Sequence, residues 1–132
     1  MLGDTSPEVL GAWLKVAVPL YTRTGALPGA MNRIMLNPEA TAWSNRVGGE
    51  GREFDMLADL SKIQCPTLVF GGQLDPMLPI ECQRDIAHAL PSGLLDYREF
   101  EDCGHGVIPD VPLQAIPLLR DFILEHTQEL PR

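Results

Sequence analysis

Two groups that could share a proton stand thirty residues apart in this chain. Asp75 ends the run Cys65-Pro66-Thr67-Leu68-Val69-Phe70-Gly71-Gly72-Gln73-Leu74-Asp75-Pro76, and His105 lies in Asp102-Cys103-Gly104-His105-Gly106. A Ser-His-Asp hydrolase needs both types. The imidazole takes a proton from an attacking hydroxyl and returns it to the leaving group. The carboxylate sets the tautomer of the ring and stabilises its charged form. The third group, the nucleophile, has no counterpart: Ser6, Ser44, Ser61 and Ser92 all lack a Gly-x-Ser-x-Gly setting. Cys103 is close in sequence to His105, but its loop is no strand-to-helix elbow. A packing cysteine is the expected role. Without Cys-x-x-Cys or His-x-x-x-His spacing, neither a metal site nor a cofactor is expected.

These two residues need elements to hold them. Residues 67–70 are a continuous apolar run, as in a parallel strand covered on both faces. Pro66 suits the first position of such a strand. Gly71-Gly72 would allow a sharp exit, and Pro76 biases Asp75 away from the α region. A turn aspartate that only shapes its loop is the plainer alternative. Residues 79–90 read as a helix, with Cys82, Ile86, Ala89 and Leu90 on its apolar face. Residues 94–100 read as a second strand, packing through Leu95, Tyr97 and Phe100, and residues 111–124 as a closing helix. Pro117 in that helix is tolerable only near its start. Strand, acid loop, helix, strand, His loop and helix follow in order. Such a unit implies parallel strands joined by a crossover, with both loops at one edge of the sheet.

On this pattern the chain resembles a known family. Ile63-x-Cys65-Pro66-Thr67-Leu68-Val69-x-Gly71-Gly72-x-x-Asp75-Pro76 is similar to the acid-bearing strand and turn of the α/β-hydrolase superfamily. Gly104-His105-Gly106 resembles its histidine loop, and Phe122-Ile123 its last helix. The likeness covers residues 63–125 and is closest to the proline iminopeptidase-like and related small-substrate serine hydrolases. It implies an α/β fold, of which this chain is the C-terminal part, with Asp75 as the acid and His105 as the base. In the family the chain order is nucleophile, acid, histidine. The nucleophile elbow would then come from an N-terminal half or a second subunit. The substrate would be a small molecule or short peptide with an ester, amide or peptide bond.

Residues 1–50 lack clear strands. Residues 8–20 carry Leu10, Trp13, Leu14, Val16, Ala17 and Val18 on a wide apolar face. Pro19, Gly25, Pro28 and Gly29 then interrupt the chain. Met31, Ile34, Met35 and Leu36 precede Asn37-Pro38-Glu39-Ala40, a helix start. The family resemblance implies a helical cap here; packing against the core is the plainer expectation. The run 47–51 is the natural boundary, with residues 51–132 forming the α/β part.

A net charge of −8 disfavours nucleic acid and anionic membranes as partners. Three scattered cysteines imply no disulfide framework, and a cytoplasmic setting is expected. The first twenty residues lack a basic start and a long apolar core, and no transmembrane run is present. Two readable strands leave the apolar residues 68–70 short of neighbours. The chain is therefore expected to be a fragment or one half of a complex. The alternatives are a non-catalytic binding or assembly module, or a truncated pseudoenzyme.

Overall fold

Strands β1 (Thr67–Gly72) and β2 (Leu95–Phe100) pair in parallel, with Thr67 opposite Leu95 and Gly72 opposite Phe100. This is a computed structural model, and it describes residues 6–24, 37–44 and 46–127. Four short helices of the N-terminal region and the strand unit are numbered in chain order: α1 (Pro7–Val16), α2 (Pro38–Ser44), α3 (Glu50–Glu53) and α4 (Ile80–Ala89). After β2 come α5 (Val107–Asp110) and α6 (Pro112–Thr127). Helix α4 is the crossover between the strands and packs on both of them. The result is a parallel strand-helix-strand-helix unit, compatible with part of an α/β fold.

The two faces of the sheet are packed differently because side chains alternate along each strand. One face carries Phe70 and Phe100, edge to face with ring centres 6.5 Å apart. Phe100 joins Cys103, Val107 and Ala115 in the buried core, with Phe70, Val111 and Leu118 against it. The other face meets α4 at Gly71, where Ile80 and Gln83 approach the backbone. Helix α4 is anchored at its ends by buried Ile80 and Leu90. Cys82, expected on the buried face, is exposed. A ten-residue helix over two strands buries only the residues that reach the sheet, and Cys82 does not.

The strand does not stop at its glycines. β1 runs through Gly71 and Gly72, and among the described residues only Gly48 has a positive φ, at 71°. Gly72 serves close approach instead. A Cβ there would lie 2.3 Å from the carbonyl oxygens of both Cys103 and Gly104. The absence of a side chain lets the acid-bearing strand touch the His loop. The exit is made by Asp75, whose Oδ1 accepts the N–H of Met77 at 2.7 Å in an Asx turn.

The closing helix starts at Pro112 and contains Pro117. Its missing N–H would have bonded the Leu113 carbonyl, and Leu113 is 90% exposed, so water can take the freed acceptor. The short helix α5 was not anticipated; it turns the chain between the His loop and α6. Toward the N-terminus, α1 is followed by a 3-10 turn at Val18–Leu20. Helix α2 begins where the Asn37-Pro38 pair places it, with Asn37 Oδ1 accepting the Ala40 N–H at 3.0 Å. Leu57–Lys62 form a 3-10 turn against α4. Gly25, Pro28, Gly29, Met31, Ile34, Met35 and Leu36 lie outside the described residues. Among the described residues no helix is long and apolar enough to cross a membrane.

Candidate active site

Both loops leave the same edge of the sheet because the strands are parallel, and each follows the C-terminal end of its strand. There they meet. The Nδ1 of His105 lies 2.9 Å from Oδ2 of Asp75. An ionised carboxylate can only accept, so Nδ1 carries the hydrogen, and the neutral ring keeps Nε2 free to take a proton. The Asp75 side chain is 7% exposed, against 37% for His105. The carboxylate is sheltered; the imidazole remains reachable.

The Asp75 carboxylate is held from two sides. Oδ1 accepts the N–H groups of Met77 at 2.7 Å and Leu78 at 3.0 Å, and Oδ2 faces the imidazole. Burial pushes its pKa up, but the hydrogen bonds from Leu78, His105 and Met77 outweigh burial and hold it below the usual carboxylate range. Asp75 is thus charged at neutral pH and keeps its accepting role. Two main-chain bonds tie its turn to the β2 end: Gln73 N–H to the Phe100 carbonyl and Leu74 N–H to the Cys103 carbonyl, both 2.9 Å.

A second cluster braces the acid turn from the α4 side. Glu99 takes a bidentate pair from Arg84, with Nε and Nη2 each at 2.8 Å. The Tyr97 hydroxyl donates to Glu99 at 2.8 Å, and the Gln73 amide donates to it at 3.0 Å. Hydrogen bonds from Arg84 and Tyr97 hold the Glu99 carboxyl down at about 2. Burial and the Glu99 charge push the Tyr97 phenol up to about 12.

Cys103, the sequence neighbour of His105, is fully buried, and its thiol lies 3.5 Å from the Gly104 carbonyl. Burial pushes the thiol up to about 11. Such a group is a poor nucleophile at neutral pH. Ser61 donates its hydroxyl to the Ala58 carbonyl inside its own 3-10 turn, at 3.1 Å.

About half of the chain is similar in sequence to parts of known proteins. No family model matches the chain. A putative carbamate hydrolase, RutD, from Caulobacter sp. (strain K31) is 38% identical over 60 residues, 46% of this chain and 22% of that protein. The RutD of Pseudomonas syringae pv. syringae (strain B728a) is 33% identical over 70 residues, 53% of this chain and 26% of that protein. A uroporphyrinogen decarboxylase from Listeria monocytogenes serotype 4a (strain HCC23), a different enzyme, is 32% identical over 68 residues, 49% of this chain and 19% of its own. The chain spans about a fifth to a quarter of the length of these curated relatives. About half of it is similar to hydrolases.

Two participants went unseen in the sequence. The Tyr21 ring meets the His105 imidazole edge-on, with ring centres 5.1 Å apart and planes at 65°. Asp110, at the end of α5, accepts the Gly104 N–H at 2.8 Å through Oδ2. Its other oxygen accepts the N–H groups of Arg23 at 2.7 Å and Thr24 at 3.1 Å. No periodicity or short motif could have paired residues more than eighty positions apart.

Proposed function

We propose that this chain is the C-terminal portion of a serine hydrolase of the α/β-hydrolase type. Asp75 orients the imidazole, and His105 acts as general base and then general acid. The supporting observation is the 2.9 Å contact between His105 Nδ1 and an Asp75 carboxylate whose other oxygen is already fixed by two main-chain N–H groups. A carboxylate that shapes only its own turn would need the second set of bonds and not the first. The hydroxyl nucleophile comes from a segment outside this chain, either an N-terminal half or a second subunit. Residues 1–50 act as its helical cap, and the setting is the cytoplasm.

The RutD names favour a carbamate or related amide-like bond over the proline iminopeptidase-like cleavage that the residue pattern suggested. The pairing of imidazole with carboxylate favours the hydrolase names over the decarboxylase one, because it is the arrangement a general base and its orienting acid require. Small, mostly apolar substrates suit the loop that carries the acid, where Leu74, Met77 and Leu78 are exposed beside Asp75.

The test is turnover of carbamate and ester substrates by the chain assembled with a nucleophile-bearing half. Asp75→Asn keeps an acceptor for Met77 and Leu78 but turns an amide toward Nδ1, which forces the other tautomer. A loss of about 10⁴-fold in kcat is expected, as in other Ser-His-Asp enzymes, with the fold unchanged. His105→Ala should lose at least as much. Turnover that survives His105→Ala would falsify the assignment.

A second reading, a non-catalytic binding or assembly module, is favoured by large apolar side chains left open, such as Val47 at 89%, Phe54 at 73% and Leu113 at 90% exposure. Such surfaces suit a partner chain in either case. Stable assembly with no hydrolysis of any acyl substrate would select this reading.

A further inference from the structure

The His loop has a glycine on each side of its histidine, and glycine leaves its own backbone angles open. Both flanking peptide groups are nevertheless held. The Gly104 N–H donates to Asp110 Oδ2 at 2.8 Å, and the Gly106 N–H donates to the Tyr21 carbonyl at 2.8 Å. Tyr21 is itself held by the residues that follow it. The N–H groups of Arg23 and Thr24 and the Thr24 hydroxyl all converge on Asp110 Oδ1, at 2.7, 3.1 and 3.0 Å. One side chain thus grips the first shoulder of His105 directly, and the second through the 21–24 segment.

We propose that Asp110 is a positioning residue for the imidazole: its carboxylate buckles the 21–24 segment onto the Gly104-His105-Gly106 loop and so fixes the ring against Asp75. This rests on the reading of His105 as the base. The packing supports the same point independently of the hydrogen bonds. A Cβ on Gly106 would come within 2.5 Å of Thr22 Cγ2, and one on Gly104 within 3.2 Å of both Asp110 Oδ2 and the Tyr21 carbonyl. The strap lies so close that neither position takes a side chain without displacing it. Burial pushes Asp110 up, yet the donors from Arg23, Gly104 and Thr24 hold it below the usual range, so it stays an acceptor on both oxygens.

Asp110→Asn separates positioning from simple packing, because the amide keeps the shape. Its one oxygen can serve the 21–24 segment or Gly104, and the NH2 group then opposes an N–H donor on the other side. The full chain is treated with diethyl pyrocarbonate, and modification is read at each histidine by peptide mass, with His88 and His126 as internal references. The downfield Nδ1–H resonance of His105 is followed by proton NMR. In Asp110→Asn the His105 rate should rise several-fold with His88 and His126 unchanged, and the resonance should broaden or vanish. Asp110→Glu should move both readouts back toward wild type. Thr24→Val, which removes one of the three donors on Oδ1, should give a smaller rise of the same kind. An Asp110→Asn chain that is folded by circular dichroism and has wild-type His105 reactivity and resonance overturns the proposal. If Asp110→Asn unfolds and all three histidines react faster, Thr24→Val decides, and an unchanged His105 rate there overturns it. Neither readout needs turnover. Hydrolysis persisting in His105→Ala would remove the catalytic reading and leave the positioning result standing.

Discussion

The acid turn and the His loop meet at one hydrogen bond, yet they are built in opposite ways. Asp75 makes its own turn: its carboxylate bonds the N–H groups two and three residues on, and a proline follows it. The His105 side chain does not cap its own loop, where the local bonds are main-chain ones such as Val107 N–H to the His105 carbonyl at 3.2 Å and Asp110 N–H to the Gly106 carbonyl at 3.0 Å. Its loop is held by a carboxylate five residues later and, through that carboxylate, by a segment more than eighty residues earlier. The Asp75 turn is therefore held mainly by its own carboxylate, and the His105 loop by a side chain and a segment beyond it. A locally capped turn forms wherever its strand forms. The His loop draws on contacts with the N-terminal segment as well as on its own residues.

The largest expected effect removes the place where the two regions touch. Gly72→Ala would set a methyl group 2.3 Å from two carbonyl oxygens of the His loop, and backbone cannot swing aside as a long side chain can. Overpacking of this sort typically costs about 1–3 kcal/mol, and a main-chain clash belongs at or above the top of that range. The urea midpoint should fall accordingly and the His105 Nδ1–H resonance should be lost, while Gly93→Ala, with nothing within 4 Å of its Cβ, should stay near wild type. Equal midpoints for the two variants would show that the strand and the His loop are not in the contact described.

That contrast also explains what the sequence could reveal. The strands, the crossover helix and the meeting of Asp75 with His105 were legible because each depends on neighbours in sequence: an apolar run, a 3.6-residue period, a proline beside an aspartate, glycines beside a histidine. The role of Gly72 was misread because glycine allows both unusual angles and close approach, and only tertiary contact distinguishes them. Cys82 kept the helical period but missed burial, since a narrow sheet cannot cover a whole apolar face. Asp110 and Tyr21 were illegible for a stronger reason. An aspartate ending a four-residue helix and a tyrosine after a 3-10 turn carry no local mark of the partner each will find.

The acid turn is not wholly local, and acid titration measures how far. Gln73 reaches across to Glu99, which Arg84 and Tyr97 hold down at about 2 from an ordinary 4.5. A carboxyl lowered on folding contributes stability that is fully present above its unfolded pKa and disappears as pH falls through its folded one. The thermal midpoint of the chain should therefore drop between about pH 4.5 and pH 2. Asp75 and Asp110 act in the same direction below their ordinary 3.8. Glu99→Gln should be less stable than wild type at neutral pH and flatter across the upper part of that window. A variant with the full wild-type acid slope would mean that the cluster does not brace the turn.

The smallest effect is the most selective test of how the strap holds the His loop. The Arg23 side chain pairs with Asp102 at 3.2 Å, but the two are 54% and 82% exposed, and exposed pairs contribute at most about 1 kcal/mol. The bond that matters belongs to the Arg23 main chain, whose N–H reaches Asp110 at 2.7 Å whatever the side chain is. Arg23→Ala should therefore leave the Nδ1–H resonance of His105 in place and move the thermal midpoint by no more than a few degrees, an effect that added salt should erase from the wild type as well. Loss of the resonance in Arg23→Ala would place the grip in the guanidinium and Asp102, and the His loop would then depend on surface charge and not on a buckled main chain.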